Sequence, residues 1–520
     1  MMDGNSTTPP AQGATPRGGA TGVPDSADAA MPSTLARDVR RAVIWRSGSQ
    51  IVGQVIAWAV TLIVLNLLRP ADYGLYAMAA VMMTILDFLN GYGVASALIQ
   101  QKDVSPRIIR QALGIMICLN TGIAIIQFAA APLVAAYFGK PEVEALLHHL
   151  AFIYLATPFI IVPEVLLSRS LDFKRQAIAN LTGAVVGAAV SLGCALAGYG
   201  VWTLVYAPIA LFYTRAICLT VAARMYILPI FDFTGTGHIV RFGGALMISH
   251  LCWVVQSQAD VTIAGRVLTE HDVGLYATAL FMSQLIVAKF VPPLNQVAFP
   301  AYAKLQDNPA AVRNAFLDSI RLIMLVTAPI FLGIAAVAPT LIATLFKPEW
   351  QAMVPLIQLT ALAMPALTLQ VLFPSVNNAM GRPQLSMRAS LFGAAIFLVG
   401  FLVGVRYGTM GLAAAWLVCA PALLLVTAAI SKPATGADLS AIFAAAAPAL
   451  LSATGMAAMV LGFDAGLAPH IAPLPHLIIQ VIGGALAYFA LSRWLQWSTV
   501  LRLAALVRGR SGDGATAAVA

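Results

Sequence analysis

The sequence predicts an all-α integral membrane protein of about 14 transmembrane helices: two six-helix repeats followed by two further helices. Three observations carry this: a composition too apolar for water, apolar stretches of bilayer length, and an internal repeat. Of 520 residues, 60% are hydrophobic and 10% charged, with a mean hydropathy of +0.85. Soluble domains carry about 25% charged residues. Only lipid hides a surface of this kind.

Residues 1–36 are rich in Pro, Gly, Ala, Ser and Thr without apolar period, and read as a disordered N-terminal tail. A crossing takes about 20 mostly apolar residues. The first such stretch, 48–68, is too far from the start for a cleavable signal peptide. It follows Arg37, Arg40, Arg41 and Arg46, which predict a cytoplasmic N-terminus. Spans at 75–98, 111–138, 145–168, 177–198 and 201–223 complete a first lobe over 37–223. Spans at 243–267, 275–298, 320–345, 352–378, 389–406 and 410–430 make a second lobe over 224–430. Two additional helices, 441–462 and 477–494, lie in 431–494, and 495–520 reads as a cytoplasmic tail.

The net charge of +9 does not indicate nucleic acid, because of where it falls. Of 30 Lys and Arg, 23 lie in connections on the side of the N-terminus and 5 on the other. This is the positive-inside pattern, and it predicts an inner-membrane protein with both termini cytoplasmic. Arg215 and Lys289 remain within spans.

No connection reaches the size of a domain, which needs at least about 50 residues. The chain has no DxD, HExxH, GxSxG or P-loop arrangement, so no enzyme, cofactor or ATP hydrolysis is predicted. Five cysteines (Cys118, Cys194, Cys218, Cys252 and Cys419) sit in apolar stretches without a CxxC and read as buried hydrophobes, not metal ligands.

The repeat appears on self-comparison. Asp72-Tyr73-Gly74-Leu75-Tyr76-Ala77 follows the first span, and Asp272-Val273-Gly274-Leu275-Tyr276-Ala277 follows the seventh. Phe138-Gly139-Lys140-Pro141-Glu142 after the third span matches Phe346-Lys347-Pro348-Glu349 after the ninth, one residue shorter. Tyr199-Gly200 matches Tyr407-Gly408. An even number of spans separates the copies, so the halves face the same way about an axis along the membrane normal. The Asp-x-Gly-Leu-Tyr turns are expected to cap and start spans 2 and 8.

Several stretches resemble the polysaccharide-biosynthesis flippase family of the Wzx and WzxC type, within the multidrug/oligosaccharidyl-lipid/polysaccharide exporter superfamily. They are Leu68-Arg69-Pro70-Ala71-Asp72-Tyr73-Gly74, Ser96 to Val104, Arg169 to Arg175 and Gly198 to Val205 in the first half. In the second they are Asp260 to Gly265, Gly274-Leu275-Tyr276, Phe299-Pro300-Ala301 and Gly381-Arg382-Pro383. The likeness runs from about residue 40 to about 430. One place departs: where the family usually has an acid near the end of span 2, this chain has Gly91, with Asp87 one turn earlier. The resemblance implies a V-shaped bundle that flips an undecaprenyl-pyrophosphate-linked oligosaccharide by alternating access. The product would feed an exopolysaccharide, capsule or O-antigen polymerase, and export machinery and membrane lipids are implied partners. The alternatives are a multidrug or organic-cation antiporter of the same superfamily, or a membrane polymerase or acyltransferase.

A charge at the centre of a span costs at least about 2.5–3.5 kcal/mol and so marks a functional position. Arg215 and Lys289, with Arg46 at the mouth of span 1, are the expected cations for an anionic head group. Asp260 and Asp87 are the expected coupling or cavity acids, and Gln256 and Asn66 polar cavity groups. For each, packing within the bundle is the competing reading: an ion pair for the charges, an interhelical hydrogen bond for the amides. Prolines in spans 9 and 10 are expected to kink their helices.

Overall fold

A computed structural model describes residues 53–87, 105–170, 172–232, 253–467 and 472–507. All of their regular structure is helical. In the first half run α1 (Gly53–Leu67), α2 (Pro70–Asp87), α3 (Pro106–Phe138) and α4 (Glu142–Arg169). It closes with α5 (Phe173–Leu196) and α6 (Trp202–Ala222). The second half has α7 (253–267), α8 (Glu270–Lys304), α9 (Pro309–Leu345) and α10 (Pro348–Ala379). It ends with α11 (Pro383–Gly404) and α12 (Gly408–Thr435). Then come α13 (Leu439–Leu467), α14 (Pro473–Leu495) and a short α15 (Trp497–Val507), which opens the segment read as a tail. The described part of every predicted span falls on one of α1–α14, while 48–52, 88–98 and 243–252 lie outside the described residues, and the chain is a multi-pass membrane protein.

The halves repeat in packing as well as in sequence. α5 lies along α6 as α11 lies along α12. The turns that join them pass through Gly200 (φ 54°) and Gly408 (φ 70°), a backbone region that a side chain disfavours.

The Asp-x-Gly turns differ from expectation. Helices α2 and α8 start at Pro70 and Glu270, about a turn before the predicted spans, which puts Asp72 and Asp272 inside the first turn. Asp72 Oδ2 accepts the Arg69 backbone N–H at 3.0 Å. On α8, Thr269 is the N-cap: its Oγ1 accepts the Asp272 N–H at 3.2 Å and donates to Asp272 Oδ2 at 2.8 Å. Asp72 serves the third-position role of a capping box, whereas Asp272 meets its cap through the Thr269 hydroxyl.

Proline in a span frees the carbonyl four residues earlier, and lipid offers that carbonyl no donor. Four such carbonyls here take a side chain from elsewhere in the bundle. Pro132 frees Phe128 O, which accepts His148 Nε2–H at 3.1 Å, and Pro163 frees Phe159 O, which accepts Thr220 Oγ1 at 3.3 Å. Pro329 frees Leu325 O for the Tyr488 hydroxyl at 2.7 Å, and Pro339 frees Ala335 O for Gln358 Nε2 at 3.2 Å. α9 therefore runs unbroken through both prolines. α10 breaks at Val371, one residue beyond Gln370, whose carbonyl the Pro374 ring opposes.

Among the described residues, the core is joined at one end and divided at the other. Near the Lys- and Arg-poor end, one buried cluster unites Leu65, Met78, Ala135 and Phe138 with Ala264, Val273, Tyr276 and Phe346. Among the described residues, no cluster toward the opposite end joins α1–α6 to α7–α12. Met116, Val162 and Met225 form one, Ile160, Leu167 and Leu219 another, and Phe316, Phe373 and Ile442 a third. α13 and α14 pack on each other and on α9.

Candidate functional site

Among the expected cations, Arg46 lies outside the described residues. Lys289 stands within α8, with its side chain outside what the structure describes. Arg215 on α6 is half-buried and donates through Nη2 to Glu164 Oε2 of α4 at 2.8 Å. The other oxygen of Glu164 accepts Gln176 Nε2 of α5 at 2.7 Å. Three helices thus meet on one carboxylate. Glu164 is not among the expected site residues, and its pairing with Arg215, 51 positions away, has no local signal in the sequence.

Asp260 on α7 is fully enclosed. Its Oδ2 accepts the Tyr276 hydroxyl at 2.7 Å and its Oδ1 the Val261 N–H at 2.7 Å. Trp416 Nε1 of α12 donates to the same Tyr276 oxygen at 2.7 Å. Tyr276 is the tyrosine of the repeated turn, so the motif supplies the partner of this acid. Asp87, by contrast, is exposed at the end of the described part of α2. Beside it Leu86, Ile123 and Tyr154 form a small buried cluster. Gln256 is half-buried against Gly393 of α11. Asn66 lies at the Lys- and Arg-poor end, where both ends of its amide are engaged: Nδ2 donates to Leu345 O, and Oδ1 accepts the Lys347 N–H at 3.1 Å. Of the seven residues, the five whose side chains are described (Arg215, Asp260, Asp87, Gln256 and Asn66) do not form one cluster. Arg215, Asp260 and Asn66 each head a separate one.

The halves meet where the repeated turns cross. A Cβ on Gly74 would stand 1.8 Å from Glu270 O, and one on Gly274 would stand 1.7 Å from Pro70 O. Tyr73 meets Trp350 edge-on at 5.7 Å between ring centroids. Lys140 pairs with Glu270 across the same boundary, and the Lys140 ammonium holds the Glu270 carboxyl below the ordinary carboxylate range.

Two like-oriented six-helix halves, joined face to face at one end, define a transporter-type membrane fold. The chain belongs to the polysaccharide biosynthesis protein family, whose model matches residues 63–355. It is similar to the succinoglycan biosynthesis transport protein ExoT of Rhizobium meliloti (strain 1021), with 23% identity over 94% of this chain and 99% of the relative. It is also similar to the lipopolysaccharide biosynthesis protein WzxC of Escherichia coli (strain K12), with 21% identity over 64% of this chain and 68% of that one. Among solved structures, the lipid II flippase MurJ in an inward closed conformation matches with a TM-score of 0.70. That match has 11% sequence identity and covers 88% of this chain and 100% of MurJ.

Proposed function

We propose that this protein is a flippase of the bacterial inner membrane. It carries an undecaprenyl-pyrophosphate-linked oligosaccharide from the cytoplasmic to the periplasmic leaflet. One observation carries the reading: among the described residues, the buried core is common to both halves at one end, and at the other no cluster joins one half to the other, as alternating access requires. The charge count assigns the joined end to the periplasm, so this state faces the cytoplasm. The transport role of ExoT and the flippase role of MurJ support the same class of work.

The polyprenyl chain stays in lipid while the head group passes roughly 30 Å of hydrocarbon between the halves. Lys289, Arg215 and Arg46 supply cations to the pyrophosphate. Glu164 compensates Arg215, and the more highly charged head group displaces it. Asp87, which is exposed, serves coupling. Asp260, which is enclosed, holds α7 to α8 and α12, and Gln256 lines the path.

Deletion of the gene followed by lipid analysis tests this. Undecaprenyl-linked oligosaccharide should accumulate on the cytoplasmic face and polymer should be lost. Unchanged intermediates with normal polymer secretion would overturn the reading.

A further inference from the structure

The bonds that join the two halves are themselves repeated, but not with the same chemistry. Asn66 and Arg266 hold equivalent positions at the ends of α1 and α7. Tyr137 and Leu345 hold equivalent positions just before Phe138 and Phe346. Arg266 Nη1 donates to Tyr137 O at 2.6 Å, and Asn66 Nδ2 donates to Leu345 O. Each half therefore reaches across to the same carbonyl of the other.

Beyond that shared bond the two sides diverge. On one, the Arg266 guanidinium lies 5.8 Å over the Tyr137 ring, and Lys140 pairs with Glu270. On the other, the counterpart of Glu270 is Pro70, which carries no charge. Asn66 instead adds a second neutral bond, from the Lys347 backbone. The side chains of Lys140 and Glu270 are 28% and 36% exposed. Water and salt therefore compete with that pair, and it re-forms over a range of geometries. The Asn66 amide, bound to backbone on both sides of Phe346, tolerates little displacement.

We propose that these are the two clasps of a periplasmic gate and that they act unequally. The Lys140–Glu270–Arg266 side releases, while the Asn66 side stays bonded and serves as the hinge. The gate swings open along one edge. This rests on the alternating-access reading above. The test, however, uses substrate-free protein, so its failure is distinct from a failure of the deletion experiment.

Spin labels are placed in the full chain, its own cysteines replaced by alanine, reconstituted in nanodiscs. One pair, at Glu142 and His271, reports the ionic edge, and a second, at Leu67 and Glu349, reports the neutral edge. Electron–electron distance measurements should show Lys140→Glu or Glu270→Lys adding a longer distance at the ionic edge only. The combined exchange of the two charges should restore the original distribution. If a single reversal fails to fold, 1 M NaCl on the otherwise unaltered labelled protein should lengthen the ionic edge alone. Distances at both edges unchanged by reversal and by salt, or lengthened equally at both, would overturn the unequal gate.

Discussion

Gly74 and Gly274 lie backbone to backbone: a Cβ on Gly74 would stand 3.0 Å from the Gly274 nitrogen, and one on Gly274 would stand 2.9 Å from the Gly74 nitrogen. The same residue of each repeat thus meets its counterpart where α2 and α8 cross. Neither position has room for another atom while the halves are joined there.

Gly74→Ala or Gly274→Ala should therefore disfavour the joined state, by the order of 1–3 kcal/mol expected of overpacking. Labels at Glu142 and Glu349 should report a longer separation, with the protein still folded. A distance distribution identical to that of the unaltered protein would show that the crossing yields elsewhere.

Tyr488→Phe should lower stability by about 1–3 kcal/mol, because Leu325 O loses its donor in a place without water. In a Pro329→Ala background the α9 backbone can reclaim that carbonyl, and the same change should cost much less. Thermal unfolding of the four proteins in detergent gives the coupling. Equal costs in both backgrounds would separate Tyr488 from the proline.

Arg215→Ala and Lys289→Ala should each abolish polymer export without reducing the amount of protein in the membrane. Glu164→Gln should lower thermal stability only by about 1 kcal/mol, since its pair with Arg215 is partly exposed. Normal export by both alanine variants would remove these cations from the proposed path.

Acid should loosen the ionic clasp. Lys140 lowers the Glu270 pKa in the joined state. Opening withdraws the ammonium and returns the carboxyl toward its ordinary value of about 4.3. The joined state thus gains from this pair above that value and loses the gain as pH falls through the lowered one. Labels at Glu142 and His271 should show the longer distance growing below about pH 4.3. A Glu270→Gln protein should lack that step.

The spans and the repeat were legible because lipid imposes a run of apolar residues on each crossing, and because Asp72–Ala77 returns nearly unchanged at Asp272–Ala277. The starts of α2 and α8 were not, because apolar content does not mark the Thr269 cap or the third-position acids. The site was legible in part. Arg215 and Asp260 stand out as charges inside spans, but the choice between binding and pairing depends on what faces them. For Arg215 that is a residue 51 positions away. Asn66 gave no hint of joining two halves, since its partners lie 279 and 281 positions along the chain. The proline carbonyls likewise find donors as far as 163 residues off.

The attachment of α13 and α14 to α9 has a meaning in lipid that it would not have in water. Acyl chains wet an apolar helix flank as readily as leucine does, so burying that flank under two more helices gains little from solvent release. What keeps them seated is contour and a few polar stitches: the Tyr488 hydroxyl on Leu325 O, and Arg502 of α15 on Asp318 at 3.0 Å. Trimming the chain after α12 would exchange protein for acyl chains along α9, at the expense of fit rather than of solvation.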